Sequence, residues 1–194
     1  MGKGIRLEIQ TGVILVAAAA LLILPLSFLL AFLLAAFVHE LCHYLMLCWN
    51  DVKTYKVSIG PFGATMETEP MEPGREVLCA LAGPAGSFLL AACYGILPEI
   101  ALCALVQGCF NLLPIYPMDG GRVLNGILEL MKIQERDEIM LFIQRFTGGV
   151  ISFVCLYGFL RWNMGWGVLI FGIVVLLRTL PRKTPCKQGF FGVQ

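Results

Sequence analysis

Charge is scarce in this 194-residue chain. Asp, Glu, Lys and Arg make up only 14% of it, where an ordinary soluble domain carries about 25%. Hydrophobic residues reach 58%, and the mean hydropathy is +0.82. That balance excludes a soluble globular protein and points to an integral membrane protein. A concentrated basic face is also lacking: the net charge is +1, too little to bind a phosphate backbone, so nucleic acid is excluded as a partner. There is no fixed-period repeat and no low-complexity tract beyond alanine-leucine runs. No polar stretch is long enough for an appended peptide- or nucleotide-binding domain. Lys3 and Arg6 precede the first apolar run, but no small-x-small cleavage site follows it, so the first helix is expected to be retained. Cysteine is plentiful, with eight residues, yet Cys79, Cys93, Cys103, Cys109 and Cys155 lie in apolar runs. A thiol there behaves as a small hydrophobe, and no disulfide framework is expected. Histidine is the sharpest shortage. The chain has two, His39 and His43, both inside a segment apolar enough for lipid.

A helix crosses the hydrocarbon in about 20 residues. The apolar run 7–49 is long enough for two crossings, broken at Pro25; further segments run over 76–97, 100–113, 139–160 and 164–180. The expected fold class is therefore an all-α polytopic membrane protein with about six transmembrane helices, forming a single membrane-embedded domain over 1–194. With six crossings both termini share a side with the 50–75 loop and the 114–138 segment. Twelve of the Lys and Arg residues fall on that side, Arg161 falls on the other, and Arg145 lies within a segment. By the positive-inside rule that side is cytoplasmic. The expected location is the cell membrane, with multiple passes and both termini cytoplasmic. "HELCH", at the end of the second crossing, and "PMDGG" then lie at the same cytoplasmic face and can meet.

In "HELCH", His39 and His43 are four residues apart, offset by roughly 40° around a helix, so both imidazoles can aim at one point. They supply half of a tetrahedral zinc site. Glu40 lies about 100° away, flanking the metal as a general base rather than ligating it. The structural alternative is a set of packed, hydrogen-bonded polar residues between helices. Against it stands the insertion cost of an acid at hydrocarbon depth, about 3 kcal/mol. Cys42 is expected to be a packing residue, because it points away from the shared histidine face. A hydrolytic zinc site needs a third protein ligand and an open position. No histidine remains, so a carboxylate on the same side is required, and Asp119 lies between Pro114 and Pro117 on one side and Gly120 and Gly121 on the other. Asp119 can equally cap a helix beginning near Gly120. Glu67, Glu69, Glu72 and the acids of 129–138 read as solvated surface charge.

Together, "HELCH" in a membrane helix and the later "NLLPIYPMDGG" resemble the paired HExxH and NxxPxxPxDG signatures of the site-2 protease family of intramembrane zinc metalloproteases. Both are complete here, and the resemblance covers about 30–180. It implies a three-helix catalytic core, placed here at about 26–125, with one Zn2+ per chain. It also implies His39, His43 and Asp119 as ligands, Glu40 as acid/base, and Asn111 as a residue that holds substrate or a developing oxyanion. Read on its own, Asn111 can also be a helix-packing amide. "AGPAGS", 82–87, resembles the Gly-Pro-x-x-Asn element of the family with Ser87 in place of the asparagine, and packing is an equal reading of Ser87. The short form resembles the sporulation-type branch that includes stage IV sporulation protein FB, without the CBS domain often found there.

A peptide bond inside an intact helix is shielded by its own hydrogen-bonded ladder, so a substrate has to be unwound and its backbone satisfied elsewhere. "VKTYKVSIGPFGATME", 52–67, reads as a β-hairpin at the cytoplasmic rim. Its residues Val57, Ser58 and Ile59 are expected to bind substrate as an added strand; a plain connecting hairpin is the alternative. The function expected is hydrolysis of a peptide bond in or near a transmembrane segment of a membrane-protein substrate. The alternatives are a membrane zinc or cation transporter and a non-catalytic relative. Transport calls for polar residues along several helices, which the third and sixth crossings lack, and a non-catalytic scaffold has no need of Glu40.

Overall fold

The computed structural model describes residues 6–9, 11–13, 21–22, 24–60, 63–163 and 165–179. Three strands and six longer helices follow in the order β1 (Arg6–Ile9), α1 (Leu26–Trp49), β2 (Thr54–Gly60), β3 (Gly63–Thr68), α2 (Pro73–Ala91), α3 (Pro98–Asn111), α4 (Asp119–Leu130), α5 (Arg136–Trp162) and α6 (Trp166–Thr179). Residues 11–13 and 21–22 are helical as well. Prolines mark three of the helix starts. Pro25 caps α1, and Pro73 and Pro98 open α2 and α3, where the fixed φ is pre-organised and the missing N–H has no helical partner to lose. Asn163, at φ 51°, ends α5 in the left-handed conformation.

The buried stripe of α1 is Ala31, Ala35, His39, His43 and Leu47, a strict four-residue spacing that lies along one face. Large apolar side chains point the other way: Leu30, Phe32, Leu33, Leu34 and Phe37 are exposed. Small residues inside and bulky apolar residues outside is the arrangement of a helix surrounded by lipid. Ala31 and Ala35 meet Cys103 and Ala104 of α3, and α2 packs against both α1 and α3. These three helices surround the histidines.

The expected six crossings are met only in part. Among the described residues two helices, Leu26–Trp49 and Arg136–Trp162, are long and apolar enough to span a membrane. At about 1.5 Å per residue, α3 and α6 are each roughly 21 Å long, short of the about 30 Å of hydrocarbon. The first apolar run does not begin as helix: Arg6–Ile9 form a strand, and most of the remaining run lies outside the described residues. The segment expected over 76–97 gives a helix that ends at Ala91, followed by turns.

The β-structure is more extensive than the expected hairpin. The hairpin forms, with Thr54 opposite Thr68 and Gly60 opposite Gly63, but it belongs to a three-stranded sheet in the order β1-β2-β3. β1 runs parallel to β2, pairing Arg6–Ile9 with residues 56–59. The Lys56 ammonium is paired with Glu8 and, more loosely, Glu67; the hydrogen bond to Glu8 raises its pKa. The backbone of Val57, Ser58 and Ile59 is thus flanked on both sides, and the open edges among the described strands belong to β1 and β3.

Candidate metal centre

Two helices bring matching ladders face to face. His39 and His43 sit on the buried stripe of α1. Opposite them, α2 presents Cys79, Gly83 and Ser87, also four residues apart, all buried. Ser87 Oγ lies 2.9 Å from His39 Nδ1, and the Cys79 carbonyl oxygen lies 2.7 Å from His43 Nδ1. Gly83 fills the space between. A Cβ there would overlap the His43 ring and come within 2.7 Å of His39 Nε2, so only glycine lets α2 approach this closely. Gly86 gives the same clearance to Cys42 Sγ, which makes Cys42 a packing residue, as its direction on the helix implied.

Asp119 arrives from a different part of the chain. The Pro114 to Pro117 stretch ends α3, and Gly120 lets the start of α4 press against the backbone of Leu112 and Leu113, where a Cβ would overlap the Leu112 carbonyl. Asp119 is the first residue of α4, not its cap: Met118 holds the cap position with no side-chain cap bond. The Asp119 carboxylate turns inward instead. Its Oδ2 lies 3.0 Å from His39 Nε2 and 3.1 Å from His43 Nε2, and the two Nε2 atoms are 3.2 Å apart. Its other oxygen faces Arg122 Nη1 at 3.9 Å, and Arg122 Nε faces Glu76 at the same distance.

The three residues fit a metal ion. A carbonyl oxygen only accepts, so His43 Nδ1 must carry a proton and donate it to Cys79; Ser87 Oγ is placed to accept from His39 Nδ1 in the same way. Imidazoles that donate outward from Nδ1 can turn the lone pairs of both Nε2 atoms inward, toward a carboxylate that also only accepts. Three acceptors within 3.2 Å of one another, at 2%, 8% and 8% exposure for His39, His43 and Asp119, call for a cation between them. Two imidazole nitrogens and one carboxylate oxygen are the donor set of a zinc site of the hydrolytic type, and among the described residues this is the group whose ligand atoms converge. One zinc ion matches it.

Glu40 follows His39 on α1 and is half-buried. Asn111, the last residue of α3, directs its Nδ2 toward His39 Nε2 at 3.3 Å. Val57, Ser58 and Ile59 lie in the middle strand of the sheet rather than at a free edge. Sequence reasoning did not find the Cys79 carbonyl or Gly83, and it gave Ser87 no definite task. The signal for all three was available in the 79, 83, 87 spacing, which repeats the spacing of the histidines.

No protein-family model matches the chain. Curated relatives do. A zinc metalloprotease of Methanocaldococcus jannaschii is 31% identical over 148 residues, covering 66% of this chain and 43% of that protein. Stage IV sporulation protein FB of Bacillus subtilis is 28% identical over 138 residues, covering 62% of this chain and 46% of that protein. The chain therefore aligns with less than half the length of these relatives. The solved site-2 protease from Methanocaldococcus jannaschii superposes with a TM-score of 0.62 over 92% of this chain and 91% of that one at 21% identity, which establishes a shared fold. With the two signatures, the convergent ligand set and these relatives taken together, the chain belongs to the site-2 protease family of zinc metalloproteases.

Proposed function

We propose that this protein is an intramembrane zinc metalloprotease that hydrolyses a peptide bond in or near a transmembrane segment of another membrane protein. One observation carries the reading: two imidazoles with their Nδ1 atoms engaged elsewhere and one buried carboxylate converge on a single point. A cation path would spread such groups along several helices instead. His39, His43 and Asp119 would hold the zinc, which when bound supplies a Lewis acid for amide hydrolysis.

The remaining chemistry falls to the chain's own groups. The Glu40 carboxylate accepts a proton from the attacking water and returns it to the leaving amine nitrogen, so no strong base is released into the membrane. Asn111 Nδ2, beside the histidines, donates to the carbonyl oxygen of the bond being cut as negative charge grows on it. The α1 end bearing the histidines, the sheet and α4 face the cytoplasm in this proposal, in keeping with the lysine and arginine distribution. The sheet satisfies the unwound substrate backbone. Substrate pairs with Val57, Ser58 and Ile59 after β1 has left that edge of β2.

Purified protein in detergent, given a model transmembrane substrate, should cleave it, and Glu40→Gln should abolish cleavage while still binding one zinc per chain. Cleavage by the Glu40→Gln protein at the parent rate would refute the mechanism.

A further inference from the structure

The buried face of α3 consists of small residues, Ala101, Cys103, Ala104 and Gly108, with two half-buried amides beside them. Gln107 and Asn111 are four residues apart, one turn after another on nearly the same face. Asn111 reaches His39, so this face is turned toward the metal centre. Gln107 Oε1 is buried and has no hydrogen-bond partner among the described residues. An acceptor sealed without a partner disfavours the resting protein, and a leucine of similar volume would avoid the penalty. A polar head kept there against that penalty points to a partner that arrives later. Rotation of the amide about its last side-chain torsion exchanges oxygen for nitrogen with little displacement, so either atom can be presented to that partner.

The spacing identifies the partner. Four helical residues rise about 6 Å, and two residues of an extended chain span about 6.6 Å. An extended peptide turns the N–H and C=O of alternate residues to the same edge. A strand laid along α3 therefore offers backbone groups to Asn111 and Gln107 at nearly their own separation. Resting on the protease reading above, we propose that Gln107 binds the substrate backbone two residues from the bond being cut, on the side deeper in the membrane, while Asn111 holds the residue at the metal. The two amides form a short ladder that replaces hydrogen bonds lost when the substrate helix unwinds.

The test pairs Gln107→Leu with a change in the substrate. In the protease, Gln107→Leu should lower kcat/KM about tenfold, leave one zinc per chain, and leave the thermal midpoint unchanged or higher. In the Glu40→Gln background it should weaken binding of a fluorescent transmembrane peptide by a similar factor. Replacing the peptide N–H two residues from the cut by an ester oxygen should weaken binding to the parent and have little further effect on Gln107→Leu, because both changes remove the same hydrogen bond. Gln107→Met serves as a second variant should the leucine pack badly. Equal ester effects in parent and variants, or unchanged kcat/KM, would overturn the assignment and leave the protease reading standing. A lowered thermal midpoint in both variants with the ester effect intact would make Gln107 a structural residue. A parent that cleaves no membrane substrate would remove both.

Discussion

His43 Nδ1 donates to the backbone carbonyl of Cys79 across 2.7 Å, tying the second histidine of α1 to the main chain of α2. A carbonyl acceptor does not change with side-chain substitution, so His43 is held in one tautomer by the fold itself. His39 is held by the Ser87 hydroxyl. The two ligands are therefore secured in different ways, and only one of the anchors can be removed by mutation.

Ser87→Ala should lower zinc affinity about 10- to 100-fold, as loss of a hydrogen bond to a liganding histidine does. Competition with a chromophoric chelator measures it. The alanine fits where the serine was fully buried, so the thermal midpoint of the metal-free protein should change little. Unchanged zinc affinity would return Ser87 to a packing role.

Gly83→Ala should be more severe. Its Cβ would enter the His43 ring and stand 2.7 Å from His39 Nε2, and both rings are tied to α2 through Nδ1, which limits relief. Overpacking of this kind costs about 1–3 kcal/mol. The strain falls on the two liganding rings, so zinc stoichiometry should fall below one per chain before the fold is lost. Metal analysis beside circular dichroism separates the two effects.

The parts of this site legible in the sequence were those with a side-chain signature. His39 and His43 announce themselves by spacing, and Asp119 by its place between prolines and glycines when no third histidine existed. The Cys79 carbonyl has no such signature, because every residue has one. Gly83 resembled the small residues that pack any membrane helix, and its purpose emerged only when the two rings were found against it. β1 was missed for a different reason. "RLEI" sits at the head of an apolar run, and its strand conformation follows from parallel pairing with residues some fifty positions later; β-structure depends on such distant neighbours more than on local preference. Helix lengths were misjudged where apolar runs continued through turns, as after Ala91.

If substrate pairs with residues 57–59, it competes with β1 for one edge of β2. Glu8→Lys removes the ion pair with Lys56 and sets like charges side by side, which loosens β1. KM for a membrane substrate should fall modestly at low salt, and the gain should vanish at high salt as the charges are screened. A KM equal to the parent's at both salt concentrations would move substrate pairing to the outer edge of β1 or β3.

Packing far from the ligands should also reach the metal. Gly126 lies two helical turns beyond Asp119, on the same face of α4, and a Cβ there would stand 2.6 Å from Val77 Cγ2 and 3.2 Å from the Pro73 carbonyl of α2. Alanine requires that Val77 turn aside and that the Pro73 carbonyl give by a few tenths of an ångström, so Gly126→Ala should be mild. Valine adds branches against the Pro73 backbone, which cannot yield in the same way, and should push α4 away from α2. Asp119 rides on that helix, whereas His39 and His43 do not, so the carboxylate should withdraw from the imidazoles. Zinc affinity should fall about tenfold or more for Gly126→Val, the equivalent of 1.4 kcal/mol of the 1–3 kcal/mol that overpacking typically costs. Retained affinity with a lowered thermal midpoint would mean that α4 bends near its start and leaves Asp119 in place, and would sever the link between the α2–α4 contact and the metal centre.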